Sequence, residues 1–447
     1  MDFAKRAHDH SFRIDPIVRS LLDTDFYKLL MLQIIWKRHR GTKVTFAVTN
    51  RTKAVRVADH VDIGELREQL DHCRTLSYAP TELIILKGQS YYGQQGIFTP
   101  EFTDFLRTFR LGEYDLERGT GEYEGQYLLR FADVWEQSSP WELHALTIIN
   151  ELLNRSRMRQ MSKSQLDIMY ARAKVKLYAK LQVLADDPTL DGISVSDFGT
   201  RRRHSFLWQE YVVQTMAEVL GNRFGGTSNV YLASKHGFEA RGTNAHELPM
   251  VYAALANSDE ELRQSPFQVC DDWRNDYREP LHIMLPDTFG TTGFLERAPE
   301  WMADFSGCRP DSKKAIPAGE EMIAYWEKHG KDPTKKLIIP SDGLDVRVPG
   351  FEAQGEDIPT IYRHFKGRVR QSFGWGTLAT NDFVGCHPTV ADFMKPISLV
   401  CKVSEVEGRP AVKLSDNYLK ATGKPEAVAH YRRIFGHKGM DNAPVTV

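Results

Sequence analysis

Over residues 140–184, apolar residues recur every three or four positions with Lys and Arg between them, the pattern of amphipathic helices. Upstream the rhythm is mixed. An apolar, helix-like segment spans 21–36, a strand-like run covers 43–49, and 91–123 is turn-rich, with several aromatics and glycines. Downstream, short apolar runs alternate with helical stretches at 193–197, 225–230, 240–243, 281–287, 336–342 and 372–377, and most end in a small or charged residue. This is βα rhythm. A parallel sheet with polar residues at the C-terminal strand ends predicts an α/β barrel whose site lies at those ends. The last segments, 397–406 and 408–414, predict a β-hairpin that returns to the N-terminal region.

At 447 residues the chain exceeds one ordinary compact core, so the expectation is two domains or a barrel with a sizeable appendage. The 41% hydrophobic and 26% charged content is that of a folded globular protein. With 58 basic and 59 acidic residues there is no overall positive field to recruit nucleic acid, although Arg201-Arg202-Arg203 is suited to a small anion. The five cysteines are scattered without zinc or disulfide spacing, which points to a reducing, cytoplasmic setting. The apolar run at 29–36 is interrupted by Gln33 and is too short to span a bilayer, so no membrane role is expected.

Two late segments have the composition of phosphate cradles, Ser341-Asp342-Gly343 and Ser372-Phe373-Gly374-Trp375-Gly376-Thr377, each with glycine just after a strand-like run. Each is equally readable as a tight turn. Gly242-Thr243-Asn244-Ala245-His246-Glu247 puts an imidazole beside an acid at a strand end. The imidazole is a candidate nucleophile whose tautomer the carboxylate would fix, or the segment is a helix cap followed by surface residues. Arg309-Pro310-Asp311-Ser312 offers a cation, a carboxylate and a hydroxyl, or a structural ion pair. Asp197-Phe198-Gly199-Thr200-Arg201 offers an aromatic face and a guanidinium, and Asp23-Thr24-Asp25-Phe26-Tyr27-Lys28 reads equally as a helix cap.

Taken in order, these motifs together with Gly226-Thr227-Ser228-Asn229 and Ser341-Asp342-Gly343-Leu344-Asp345 resemble the nicotinate phosphoribosyltransferases over almost the whole chain. The resemblance implies an irregular, TIM-like α/β barrel over 141–389, beside a mixed α/β domain over 1–140 completed by 390–447. It implies a homodimer with shared active sites in the cytoplasm, working in NAD salvage. Nicotinate, phosphoribosyl pyrophosphate and ATP would be the substrates, with Mg²⁺ as cofactor.

Residue by residue, it implies that Phe198 and the Tyr27 of a second copy sandwich the pyridine ring. Arg201, Ser228 and Arg309 would bind nicotinate, and Arg309 alternatively faces pyrophosphate. Ser341, Asp342, Gly343, Gly374, Gly376 and Thr377 would hold the phosphoribosyl group. His246 is the implied phosphorylation site, with Glu247, Asp311 and Asp342 catalytic and Asp311 near magnesium. Ser228 stands where related nicotinamide-using enzymes carry an Asp, so a neutral hydroxyl is expected to spare nicotinate a like-charge clash. The chain departs from the family pattern at Lys313-Lys314, which replace a glycine and an acid. A barrel glycosidase, an aldolase or a non-catalytic nucleotide sensor are the rival readings. The first two would need a carboxylate pair or a buried Lys and leave the two glycine-rich loops unexplained.

Overall fold

The computed structural model describes residues 16–91, 95–351 and 353–442. Strand β1 (Lys43–Asn50) alternates small and apolar side chains so that Val44 and Phe46 face the core. It pairs antiparallel with β3 (Tyr127–Val134) on one side and with β13 (Leu399–Val406) on the other. Strand β2 (Asp115–Arg118) extends the sheet beyond β3, and β14 (Arg409–Pro410) beyond β13, giving the order β14-β13-β1-β3-β2. The late hairpin thus returns to the first strand, as its apolar pattern predicts. Helix Trp141–Met158 packs against this sheet. It is buried almost all round, polar side chains such as Glu142, Asn150 and Glu151 included, and its apolar residues from Trp141 to Leu153 belong to the same core as β1 and β13.

The parallel strands are short. Strands β4 (Val195–Asp197), β5 (Phe224–Thr227) and β12 (Phe373–Trp375) form one sheet, in the order β12-β4-β5. Strands β6 (Ile283–Met284), β7 (Gly307–Cys308), β8 (Leu337–Ile338) and β11 (Arg370–Gln371) form another, in the order β11-β8-β7-β6. Because β11 and β12 are one stretch of chain, the ladder runs continuously from β6 to β5. The Ser372 N–H donates to Ile338 O at 3.1 Å and the Phe373 N–H to Ser194 O at 2.8 Å, which stitches the two halves.

The expected closed barrel is not formed among the described residues. Past β5 the ladder continues only as a single Thr227–Ala240 bridge, and nothing joins it to β6. The physical reason lies in the intervening helices, Glu247–Leu255 and Asp259–Asp276. Their apolar residues, Leu248, Val251 and Trp273 among them, belong to the core of the N-terminal sheet rather than wrapping the parallel strands. The architecture is a mixed α/β fold with an open, barrel-like arc. Among the described residues no helix is long and apolar enough to cross a membrane.

Candidate active site

The C-terminal ends of the parallel strands open into a cavity to which the N-terminal sheet also contributes. Phe198, Arg201 and Arg202 follow β4, Ser228 follows β5, Arg309 and Asp311 follow β7, and Ser341, Asp342 and Gly343 follow β8. Gly376 and Thr377 follow β12, His246 precedes the helix Glu247–Leu255, and Lys402 reaches in from β13. Tyr27 of the same chain lines this cavity beside Phe198. The chain delivers it by pairing the end of β5 to the start of the helix Phe26–Arg38. Phe26 N–H donates to Ser228 O at 2.7 Å, and Asp25 forms an antiparallel bridge with Asn229. Both aromatic rings, Tyr27 and Phe198, thus line one cavity of a single chain.

Two of the anticipated residues lie elsewhere. Gly374 sits behind the cavity wall, where a Cβ would fall 2.4 Å from the Phe198 ring, so this glycine makes room for the aromatic platform rather than for a phosphate. At Gly376 the nearest atom to a Cβ is Phe198 O at 3.4 Å, and this residue does line the cavity. Glu247 turns away from His246. Its carboxylate is buried, accepts from Trp135 Nε1 at 2.7 Å, and pairs with Lys28. Lys28 also holds Glu142 at 2.7 Å, and Glu142 holds Lys402 at 2.7 Å, so a buried alternation of charges runs from Glu247 to the cavity wall. Breaking such a network by removing one member costs about 3–5 kcal/mol.

The partners of His246 are instead Thr288, whose hydroxyl lies 2.9 Å from Nδ1, and Asp311, whose Oδ2 lies 3.1 Å from Nε2. Asp287 stands 3.7 Å from Nε2. A carboxylate can only accept, so the network assigns the proton of the neutral ring to Nε2 and leaves the Nδ1 lone pair toward Thr288. Burial, helped by the positive charge of Lys413, pushes His246 down to about 4 against the pull of the two carboxylates, so the ring is neutral at pH 7. Burial likewise lowers Lys413 to about 8. Asp311 is held well below the ordinary carboxylate range: burial opposes ionisation, but Arg309 and His246 outweigh it.

Arg309 is fixed on three sides, to Asn244 O at 2.8 Å, Ser341 Oγ at 3.2 Å and Asp311 Oδ1 at 3.0 Å. Ser341 Oγ donates to the same carboxylate at 2.8 Å. Asp342 pairs with Lys420, and Lys413 lies 3.9 Å from Asp287. Arg201, by contrast, makes no side-chain hydrogen bond or ion pair among the described residues.

Of these groups, sequence reasoning gave no site role to Asp25, Asp287, Thr288, Lys402 and Lys413. Asp287 closes a strand-like run, the same signal that exposed Asp342, whereas Lys402 and Lys413 lie in a hairpin whose pattern reports only pairing.

Among the described residues no three His, Cys, Asp or Glu side chains are grouped as a metal cage. Both oxygens of Asp311 are engaged, but Asp287 Oδ1 is buried without a hydrogen-bond partner while its Oδ2 accepts from Ser312. One free carboxylate oxygen beside a second carboxylate suits a hard cation that keeps its waters and brings its own phosphate ligands.

Two aromatic rings, a guanidinium with no side-chain partner among the described residues, glycine-bearing loops and a buried imidazole share this cavity. The chain belongs to the nicotinate phosphoribosyltransferase family. Residues 193–438 match the sequence profile of the nicotinate phosphoribosyltransferase (NAPRTase) family, and residues 22–150 match that of its N-terminal domain. The fold is similar to a nicotinate phosphoribosyltransferase from Vibrio cholerae (TM-score 0.79, 27% identity, covering 96% of this chain and 97% of that one). It is also similar to one from Porphyromonas gingivalis (0.78, 25%, covering 94% and 100%) and to a putative one from Saccharomyces cerevisiae (0.79, 25%, covering 95% and 100%). Family and fold together make this chain a phosphoribosyltransferase of NAD biosynthesis.

Proposed function

We propose that this cavity joins nicotinate to phosphoribosyl pyrophosphate, releasing pyrophosphate and nicotinate mononucleotide, and that ATP use is coupled to it through phosphorylation of His246. The observation that carries the reading is the convergence of Tyr27, Phe198, Arg201, His246, Arg309, Asp311, Asp342 and Thr377 on one cavity of a single chain.

Nicotinate lies between Tyr27 and Phe198, faces that suit an electron-poor ring. Arg201, which has no side-chain partner among the described residues, takes the carboxylate bidentately. Arg309 is already committed to Asp311 and Ser341, which aims it at the pyrophosphate side. The glycine-bearing loop around Gly376 and Thr377 receives the 5′-phosphate. The C–N bond forms at the anomeric carbon as pyrophosphate leaves, through a sugar carrying positive charge. Catalysis is therefore positioning plus charge stabilisation. Asp342, steadied by Lys420, faces the ribose.

Magnesium, which the free oxygen of Asp287 would hold beside Asp311, would neutralise the leaving group when bound. In the ATP step, Nδ1 of His246 attacks the γ-phosphorus once the Thr288 hydroxyl swings aside, the bond from that phosphorus to the bridging oxygen breaks and ADP leaves, while the proton on Nε2 stays on the ring, donated to Asp311. Phosphorylation matters to transfer only so far as the two protein states differ in substrate affinity. The test is acid-labile labelling by γ-phosphate-labelled ATP. It is expected in the wild type and absent in His246→Asn, and label persisting in the variant would remove His246 from the scheme.

A further inference from the structure

The neutral Ser228 is not the whole of the pyridine end, because its hydroxyl donates to Asp25 Oδ1 at 2.7 Å. That hydrogen is committed to Asp25 and is unavailable to a ligand carboxylate. Asp25 itself is buried and lines the cavity beside Tyr27 and Phe198, so a carboxyl group stands at this end of the site after all. Its place is fixed by the backbone. The Asp25–Asn229 bridge and the Phe26 N–H to Ser228 O bond clamp the pair from both sides.

The charged and titratable groups facing Asp25 come from four elements. Arg201 approaches from the turn after β4, Glu142 from the helix Trp141–Met158, Asp197 from the end of β4, and the Tyr27 phenol from its own helix. Glu142 is neutralised by Lys28 and Lys402, and Asp197 accepts from Gln209 and Thr227. Arg201 is thus the cation left to balance Asp25, and it is the cation that a nicotinate carboxylate would claim. Burial already pushes the Asp25 carboxyl above its usual range, against the hydrogen bond from Ser228 and the pull of Arg201.

We propose that Asp25 sets the acid-versus-amide preference of this cavity by acting as the neutral acid, so that nicotinate binding brings a proton from solution onto Asp25. The inference rests on the nicotinate reading above. A second carboxylate sharing one guanidinium in a desolvated pocket is a like charge, and protonation removes the repulsion. The protonated acid then has an O–H to offer the nicotinate carboxylate. The ionised form would instead accept from a carboxamide NH₂, so the preference for the acid should weaken as pH rises.

The experiment is calorimetric titration of nicotinate into the full chain, in phosphate and in Tris at matched pH values between 6 and 8. The difference in heat reports protons taken up. The expected result is uptake approaching one proton per nicotinate where free Asp25 is ionised, with affinity falling about tenfold per pH unit there. Uptake should vanish in Asp25→Asn and persist in Ser228→Ala, which leaves Asp25 in place. Nicotinate binding without proton uptake anywhere in that range would overturn the proposal on the wild type alone, whatever the variants do. So would uptake that survives Asp25→Asn. Absence of nicotinate binding would be a different failure, overturning the substrate reading and this proposal with it.

Discussion

The two ends of the cavity are built on opposite plans. At the histidine end the polar side chains are wired to one another before any substrate arrives: His246 to Thr288 and Asp311, Asp311 to Arg309 and Ser341, and Ser312 to Asp287. At the pyridine end the Arg201 side chain makes no hydrogen bond or ion pair among the described residues, and Tyr27 and Phe198 line the cavity. The difference separates positioning from binding. Pre-wired groups reorganise little when charge develops, which favours the transition state, whereas an unpaired guanidinium takes its partner from the ligand and supplies ground-state affinity.

Substitutions sharpen this contrast. Arg309→Ala removes a fixed cation from the wired end and should lower kcat/KM by roughly 10³, chiefly through kcat. Steady-state kinetics with both substrates varied checks this, and a loss confined to the KM for nicotinate would place Arg309 at the wrong end. Gly376→Val puts a branched side chain into the phosphate side of the cavity. It should weaken phosphoribosyl pyrophosphate binding by about 10²-fold while sparing nicotinate, as read by titration of each ligand. Gly374→Ala should do the reverse, since its new methyl collides with Phe198. Equal losses in both variants would indicate a folding defect.

His246→Asn should reduce ATP-stimulated turnover by about 5–150-fold, the usual range of a coupling between two states, while slow ATP-independent transfer continues. With the ring held near 4, its phosphorylation rate should stay nearly flat from pH 7 to pH 5 and decline only as pH falls through about 4. A decline already centred on the ordinary histidine value of about 6.5 would contradict the buried network. Because the folded value lies below the unfolded one, the same group withdraws stability as pH drops from about 6.5 toward 4. The smallest expected effect is a null one. Mixing inactive Tyr27→Ala and Asp342→Ala chains should restore no activity, since each chain supplies its own Tyr27. Recovery on mixing would put that residue across an interface.

Much of this was legible in the sequence, and the failures share a cause. Short apolar runs ending in Asp197, Asp342 or Thr377 announce strand ends, and strand ends are where the fold gathers its site. Distance along the chain hid the place of Tyr27, because a bridge from Asp25 to Asn229 brings the helix Phe26–Arg38 to the end of β5. Adjacency misled for Glu247, because successive side chains at the start of a helix point in different directions, and Lys28 and Trp135 claim its carboxylate. The sequence could not show that the Ser228 hydroxyl donates to a buried aspartate more than two hundred positions away. Barrel closure was not readable either, because it depends on which core receives the helices between Ala240 and Ile283.

The most direct measurement is product formation by the purified chain given phosphoribosyl pyrophosphate with either nicotinate or nicotinamide at pH 7. Expected are equal amounts of pyrophosphate and nicotinate mononucleotide from the acid, a rate from the amide lower by at least about tenfold, and loss of the acid reaction in Arg201→Ala through KM. No pyrophosphate with nicotinate, or equal turnover of acid and amide, would contradict the proposed function.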